Sequence, residues 1–364
     1  MRILVVGDWH SELHEEAICN AFEQLGHETY KFAWHECFSA NSDTRPLTRL
    51  SSKIQNKFMI GPLVLRLNRD LIRFASRLQP DLIFIYRGTH IFGKTVRQIK
   101  QLCGNALVLG YNNDDPFSPQ YPRWKWRHFL DSVPEYDLTL AYRKHNIAEY
   151  LAAGARRVEL LRSWYVPERN YPAQLTDLEK SKYDCDVVFI GHYEDDGRLE
   201  CLGKISRRGW SLKVFGPEWG RADLRGQGLD SLMPIEALRG GEYNKALGAA
   251  KIALCFLSKL NRDTYTRRCF EIPATKTFML AEYTDDLASL YVAGHEADFF
   301  RSQDELMEKI DIYLKDNKLR SEIAENGYAR AAHDGHDVVT RMRRVIQWVN
   351  DEKEQGQTKV DGQV

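Results

Sequence analysis

The sequence is short of most signatures that would announce a chemistry. Its seven cysteines, at 19, 37, 103, 185, 201, 255 and 269, form no C-x-x-C pair. That disfavours a structural zinc or a disulfide framework, and their apolar settings point to reduced, buried thiols in a cytoplasmic protein. No window approaches 18 apolar residues, and Met1 to Gly7 (MRILVVG) runs straight into Asp8, so neither a membrane span nor a secretory leader is expected. The first strand opens into GDWHSE, without the G-x-G-x-x-G of nicotinamide enzymes, and Walker A is missing. Dehydrogenase and kinase chemistry lose ground accordingly. There is no H-E-x-x-H, no Cys cluster and no D-x-D between apolar strands, so no cofactor or metal is expected. Charge is balanced at 51 basic and 51 acidic residues, leaving no global field for nucleic acid.

What is present is alternation. Apolar strand runs recur at Arg2–Gly7, Tyr30–Trp34, Asp81–Tyr86, Ala106–Tyr111, Asp137–Ala141 and Arg157–Leu161, with helical patterns such as Leu13–Leu25, Leu63–Leu78, Ile91–Leu102 and Lys144–Ala153 between them. The pattern predicts an α/β chain with doubly wound parallel sheets, whose ligands bind beyond the carboxyl ends of the strands. At 364 residues two domains are expected. VVFIGHYE after Asp186 echoes VVGDWHSE after Leu4, each an apolar strand, a Gly, then a His and an aromatic. The expected division is 1–165, a polar linker 166–183, 184–335, a last helix 336–350 returning to the first domain, and a disordered tail 351–364. Glu36–Lys57 reads as an irregular loop, and 121–128 (YPRWKWRH) as an amphipathic helix with exposed arginines.

The chain's organising stretch is Asp263 to Asp286, DTYTRRCFEIPATKTFMLAEYTDD, between the strand runs KIALCFL and TFMLA. A short helix is expected, capped by Asp263 or Thr264 and stopped by Pro273 after about two turns. Arg267 and Arg268 would crowd its electropositive start, a cost that a bound diphosphate reverses. Asp263, Arg267 and Glu271, spaced four apart, would share a face, and the Glu271 carboxylate could accept from a ribose diol. The alternative is a surface Arg267–Glu271 ion pair.

Arg268 to Leu287, RCFEIPATKTFMLAEYTDDL, resembles the donor-site motif of GT-B glycosyltransferases similar to the spore-maturation protein CgeB, R-x-F-E-I-P-A-x-G-x-F-x-L-x-E-Y-x-x-D-L. Asp263 and Glu271 also stand eight apart, like the paired acids of retaining members. Two positions depart from the pattern: Asp263 where Glu is usual, and Lys276 where Gly is common, close to the donor. The resemblance covers about residues 185 to 345 strongly, and the first half mainly in layout. It implies two Rossmann-like domains facing across a cleft, and transfer from a nucleoside diphosphate sugar with retention and without metal. Arg267 and Arg268 would stabilise the leaving diphosphate. Glu271 would hold the ribose, Tyr243 and Thr266 assisting. Gly191, His192, Tyr193, Arg198 and Gly216 would complete the donor side.

On the acceptor side the candidates are Gly7, Asp8, His10, Arg87, Asn113 and Asp114, with His10 and Asp115 as possible bases. Asn112–Asp115 also suits an Asx turn closing on Pro116, His10 a plain loop histidine, and the two glycines any tight turn. The partners expected are a sugar nucleotide and an acceptor that is glycan, lipid-linked or protein. The basic stretch 45–77 reads as a solvated face or as a contact with anionic lipid. A non-catalytic binder of sugar nucleotides or polyanions, and a sugar-nucleotide epimerase, are the competing functions.

Overall fold

The structure is a computed structural model and describes residues 1–39, 46–224, 226, 228–238 and 240–361. The chain divides into two compact units, Met1–Arg162 with Val338–Val364, and Ser163–Asp337.

The first unit holds a six-stranded parallel sheet in the order β2-β1-β3-β4-β5-β6, built from β1 (Arg2–Gly7), β2 (Glu28–Ala33), β3 (Leu82–Tyr86), β4 (Leu107–Asn112), β5 (Leu138–Ala141) and β6 (Val158–Leu160). Ile3 to Val6 and all of β3 are buried, as strands covered on both faces require. After β1 the chain steps to β2 on one side and then to β3 on the other, which makes the crevice between β1 and β3 the topological switch point. Helices α1 (Ala17–Gln24), α2 (Pro46–Phe58), α3 (Pro62–Leu78), α4 (Gly93–Leu102), α5 (Arg127–Ser132) and α6 (Lys144–Ala152) connect the strands. In α3, Pro62 opens the first turn, and Val64, Leu67, Leu71 and Ala75 line the buried stripe.

The second unit holds a five-stranded parallel sheet, β11-β10-β9-β7-β8, from β7 (Cys185–Ile190), β8 (Leu212–Phe215), β9 (Ala250–Cys255), β10 (Met279–Glu282) and β11 (Asp298–Phe300). Its switch point lies between β7 and β9. Its helices are α7 (Asp177–Tyr183), α8 (Arg198–Arg207), α9 (Glu242–Ala249), α10 (Arg268–Ala274), α11 (Asp285–Ala288), α12 (Gln303–Lys315) and α13 (Asn317–His333). The last helix, α14 (Val338–Asp361), packs on α1 in the first unit, and its Met342 and Val345 are fully buried.

Four local readings are corrected. The stretch read as a loop at 36–57 contains α2, because Leu47, Leu50, Ile54 and Phe58 repeat at helical spacing; residues 40–45 lie outside the described residues. In 121–128 the helix starts only at Arg127, and Trp126 just before it is buried. The polar linker contains α7, nucleated by a capping box in which Thr176 and Glu179 bond each other's backbone N–H. Finally, α14 continues to Asp361, through Glu, Lys and Gln residues of good helix propensity.

Candidate active site

In the second unit the donor segment leaves β9 and enters α10, but the cap differs from expectation. Arg267 occupies the N-cap, and Asp263 and Thr264 precede the helix. The Asp263 backbone N–H donates to the Ser258 carbonyl (2.9 Å), and the Thr264 hydroxyl donates to Asp286 (2.8 Å). The helical face shared by Arg267 and Glu271 therefore does not extend to Asp263. Pro273 lies inside the last turn, and Thr275 closes the helix, as the short length anticipates.

The two guanidiniums take different directions. Arg267 lies 5.6 Å from the Trp164 ring. Arg268 is half-buried, and its Nε finds no hydrogen-bond partner among the described residues. Burial works to lower the Arg268 pKa, yet Cys255, Tyr243 and Glu271 outweigh it and raise the value. Glu271 is 5% exposed and accepts a 2.8 Å hydrogen bond from the Tyr243 hydroxyl. Burial first, and then Glu271, holds that phenol well above its ordinary pKa, so it remains a donor. Arg268, Tyr243 and Glu271 thus form one polar group beside α10. The Thr266 backbone N–H donates to the Cys269 sulfur at 3.5 Å. The Cys255 and Cys269 sulfurs lie 3.6 Å apart, and the described cysteines are all free thiols.

Lys276 has φ +58°, the left-handed position after a helix that glycine fills most easily, and its ammonium pairs with Glu325 on α13. The departure from Gly thus has a backbone account, and the side chain is tied to a neighbouring helix rather than to the donor group.

After β7 the chain makes a tight packing of glycines. Gly216 has φ +141°, and a Cβ there would stand 2.0 Å from the Gly191 carbonyl, which also accepts from the Trp219 indole at 2.9 Å. Tyr193 packs on Trp219, with ring centroids 5.6 Å apart. Arg198 is buried and forks onto Asp196 (2.8 and 2.6 Å), so it braces the loop. His192 bonds Glu194 at 2.7 Å with 41% of its side chain exposed. A cavity of about 310 Å³ opens at the carboxyl ends of β7, β9, β10 and β11, with Asp196, Lys259, Glu282 and Arg301 in its wall.

In the first unit, the carboxyl ends of β1, β3 and β4 are joined by Arg87. Its guanidinium pairs with Asp114 and lies 3.9 Å from Asp8. Burial opposes the charge, but Asp114 first among the acids pushes the pKa up. Arg87 and Trp9 both have positive φ, +63° and +56°; strained backbone at a switch point is a frequent mark of a working site. His10 is exposed, and its N–H caps Asp8 at 3.0 Å. Asp8, His10, Arg87 and Asp114 are thus brought together. Asn113 accepts from Arg143 through its carbonyl at 3.1 Å. Asp115 is fully buried, holding the Asn146 amide and the Phe117 N–H, each at 3.0 Å, which is the Asx-turn arrangement. Asp115, His145 and Glu149 also place donor atoms within 4.8 Å of one another.

One residue of this neighbourhood escaped sequence reading. Glu15 is fully buried beneath the β1 turn, and its Oε1 accepts from the N–H groups of Asp8 (3.0 Å) and Trp9 (3.3 Å). Burial, then the Asp8 charge, pushes its pKa up to about 7. Gly7 belongs to this arrangement: a Cβ would stand 2.1 Å from Glu15 Oε1, so the glycine makes room for a carboxylate of the chain itself. The signal was a glycine followed by a helix with an acid on its inner face.

Comparison with known proteins follows the same outline. Residues 198–347 match the family described as glycosyl transferase-like. A search of curated proteins finds no match. Among solved structures, HepE of Anabaena in complex with UDP-glucose is similar at a TM-score of 0.67 and 14% identity, over 96% of this chain and 100% of that one. Sucrose-phosphate synthase of Thermosynechococcus elongatus gives 0.69 and 11%, over 96% and 98%. Trehalose 6-phosphate synthase of Burkholderia multivorans gives 0.62 and 11%, over 98% and 99%. The fold is therefore of the GT-B type, and residues 198–347 carry a glycosyl transferase-like domain within it.

Proposed function

We propose that the chain is a glycosyltransferase that moves a sugar from a nucleoside diphosphate sugar to a hydroxyl acceptor, in the manner of the CgeB-like group. The observation that carries this reading is the half-buried Arg268 beside Glu271 and Tyr243, with Arg267 capping the same short helix. As the bond from the anomeric carbon to the β-phosphate oxygen breaks, negative charge builds on the diphosphate. Two guanidiniums stabilise that charge without a metal. Glu271 binds the ribose hydroxyls, oriented by the Tyr243 hydroxyl, and Thr266, Asp263, His192 and Tyr193 complete the donor side, with Gly191 and Gly216 holding the turns. The resemblance to HepE, solved with UDP-glucose, supports a sugar nucleotide as the partner.

Acceptor binding falls to Asp8, His10, Arg87, Asn113 and Asp114 over the Gly7 turn, with His10 the candidate base and Asp115 a positioning residue for the β4 loop. Retention of configuration and a cytoplasmic location belong to the same reading. So does contact of the basic stretch 45–77 with a membrane, which would suit a lipid-linked acceptor.

The test is nucleoside diphosphate release from a panel of sugar nucleotides, with and without candidate acceptors. Acceptor-dependent release that Arg267→Ala abolishes, with the melting temperature unchanged, is the expected result. Thermal stabilisation without release identifies a non-catalytic binder, and a new sugar nucleotide formed without acceptor identifies an epimerase.

A further inference from the structure

The helix α2 is built inside out. A surface helix ordinarily buries its apolar stripe and exposes its polar one. Here most attachments to the body are polar: the Ser52 hydroxyl donates to the Phe38 carbonyl (2.9 Å), Gln55 accepts the Leu63 N–H (2.8 Å), and the Asn56 carbonyl meets the His90 ring (3.2 Å), with the Phe58 ring beside Trp124 (5.4 Å between centroids) as the apolar contact at the helix end. The apolar residues face the other way. Leu47 is 82% exposed, Leu50 56%, Ile54 47% and Phe58 39%. At about 100° per residue these four fall within an arc of roughly 80°, nearly opposite Ser52 and Asn56. Lys53 and Lys57 flank the stripe on one side, and α2 contains no acidic residue. Ile60, 54% exposed, and Leu65, 55% exposed, extend the apolar surface into α3.

We propose that α2 lies in the surface of an anionic lipid bilayer, with Leu47, Leu50 and Ile54 among the acyl chains and Lys53 and Lys57 at the headgroups. A row of large apolar side chains beside a purely cationic edge fits an interface that offers hydrocarbon and negative charge together. A second copy of the chain fits less well, since it would set the same cations against their own kind. The chain as a whole is neutral, so the attraction is local to this face. His90, which holds Asn56, follows Arg87 by three residues in the loop after β3. On the transferase reading, and resting on it, the bilayer then presents a lipid-linked acceptor to the Arg87 group.

The test is flotation of the whole protein with vesicles of phosphatidylcholine alone and of phosphatidylcholine with an equal part of phosphatidylglycerol. Wild type is expected to float with the mixed vesicles at low salt and to stay behind with the neutral ones. Leu50→Glu with Ile54→Glu should remove flotation while leaving the circular dichroism melt in place. Lys53→Gln with Lys57→Gln should weaken partition roughly thirtyfold. The proposal is overturned if wild type ignores the mixed vesicles or if the double Glu variant floats like wild type. It is likewise overturned if ultracentrifugation shows a dimer that this variant dissolves. The assay contains no sugar nucleotide, so its failure leaves the transferase reading standing, and failure of transfer leaves this one standing.

Discussion

At the residue scale, the candidate group at α10 stands out in sequence because its residues are neighbours: two arginines, a glutamate and a proline within Arg267 to Pro273. Tyr243 joins them from α9, 28 positions away, through its 2.8 Å bond to Glu271. The expected cap failed because Asp263 and Thr264 suit an N-cap in isolation, while in the fold the helix begins only at Arg268, with Arg267 at the N-cap, and the Thr264 hydroxyl donates to Asp286. Glu15 was beyond sequence reading, since a glutamate near a helix start looks solvated until burial is known. Its folded pKa is raised from 4.5 to about 7. The protonated form is therefore favoured by folding, and the associated stability is full below pH 4.5 and lost as the pH rises through about 7. That loss is on the order of 3 kcal/mol. Thermal melts across this range should fall for wild type and stay flatter for Glu15→Gln, which keeps the shape and cannot ionise. Parallel curves would contradict the assignment.

At the element scale, strands were legible while α2 and α7 were not, and for α2 the reason is physical. Buried parallel strands read as unbroken apolar runs, as Leu82–Tyr86 does, because both faces are covered. The period of α2 is equally regular, but its apolar face points away from the core, so a reading that equates apolar with interior finds a loop. The contrast between α2 and α3 is measurable. Leu67→Ala, at a fully buried position of α3, should cost about 2–5 kcal/mol in urea unfolding. Ile54→Ser in α2 should change stability by less than about 1 kcal/mol. A comparable loss at Ile54 would mean that its side chain packs in the interior.

At the scale of the whole molecule, two parallel sheets each have one switch point, and candidate site residues such as Asp8, Arg87 and Asp114 follow the carboxyl ends of their strands. That placement was legible from alternation alone, without any motif. The family match runs from Arg198 to Gln347, so it extends past the second unit into the first turns of α14, which groups with the first. The match thus covers the motif and the start of this helix, although they belong to different compact units.

The central claim is that the arginines at the start of α10 hold a diphosphate. It is tested most directly by calorimetric titration of UDP into wild type and into the variant carrying Arg267→Ala and Arg268→Ala, with both proteins shown to be folded. Two lost charge-assisted contacts should weaken UDP binding by at least about a hundredfold, and equal affinity in the two proteins would contradict the account.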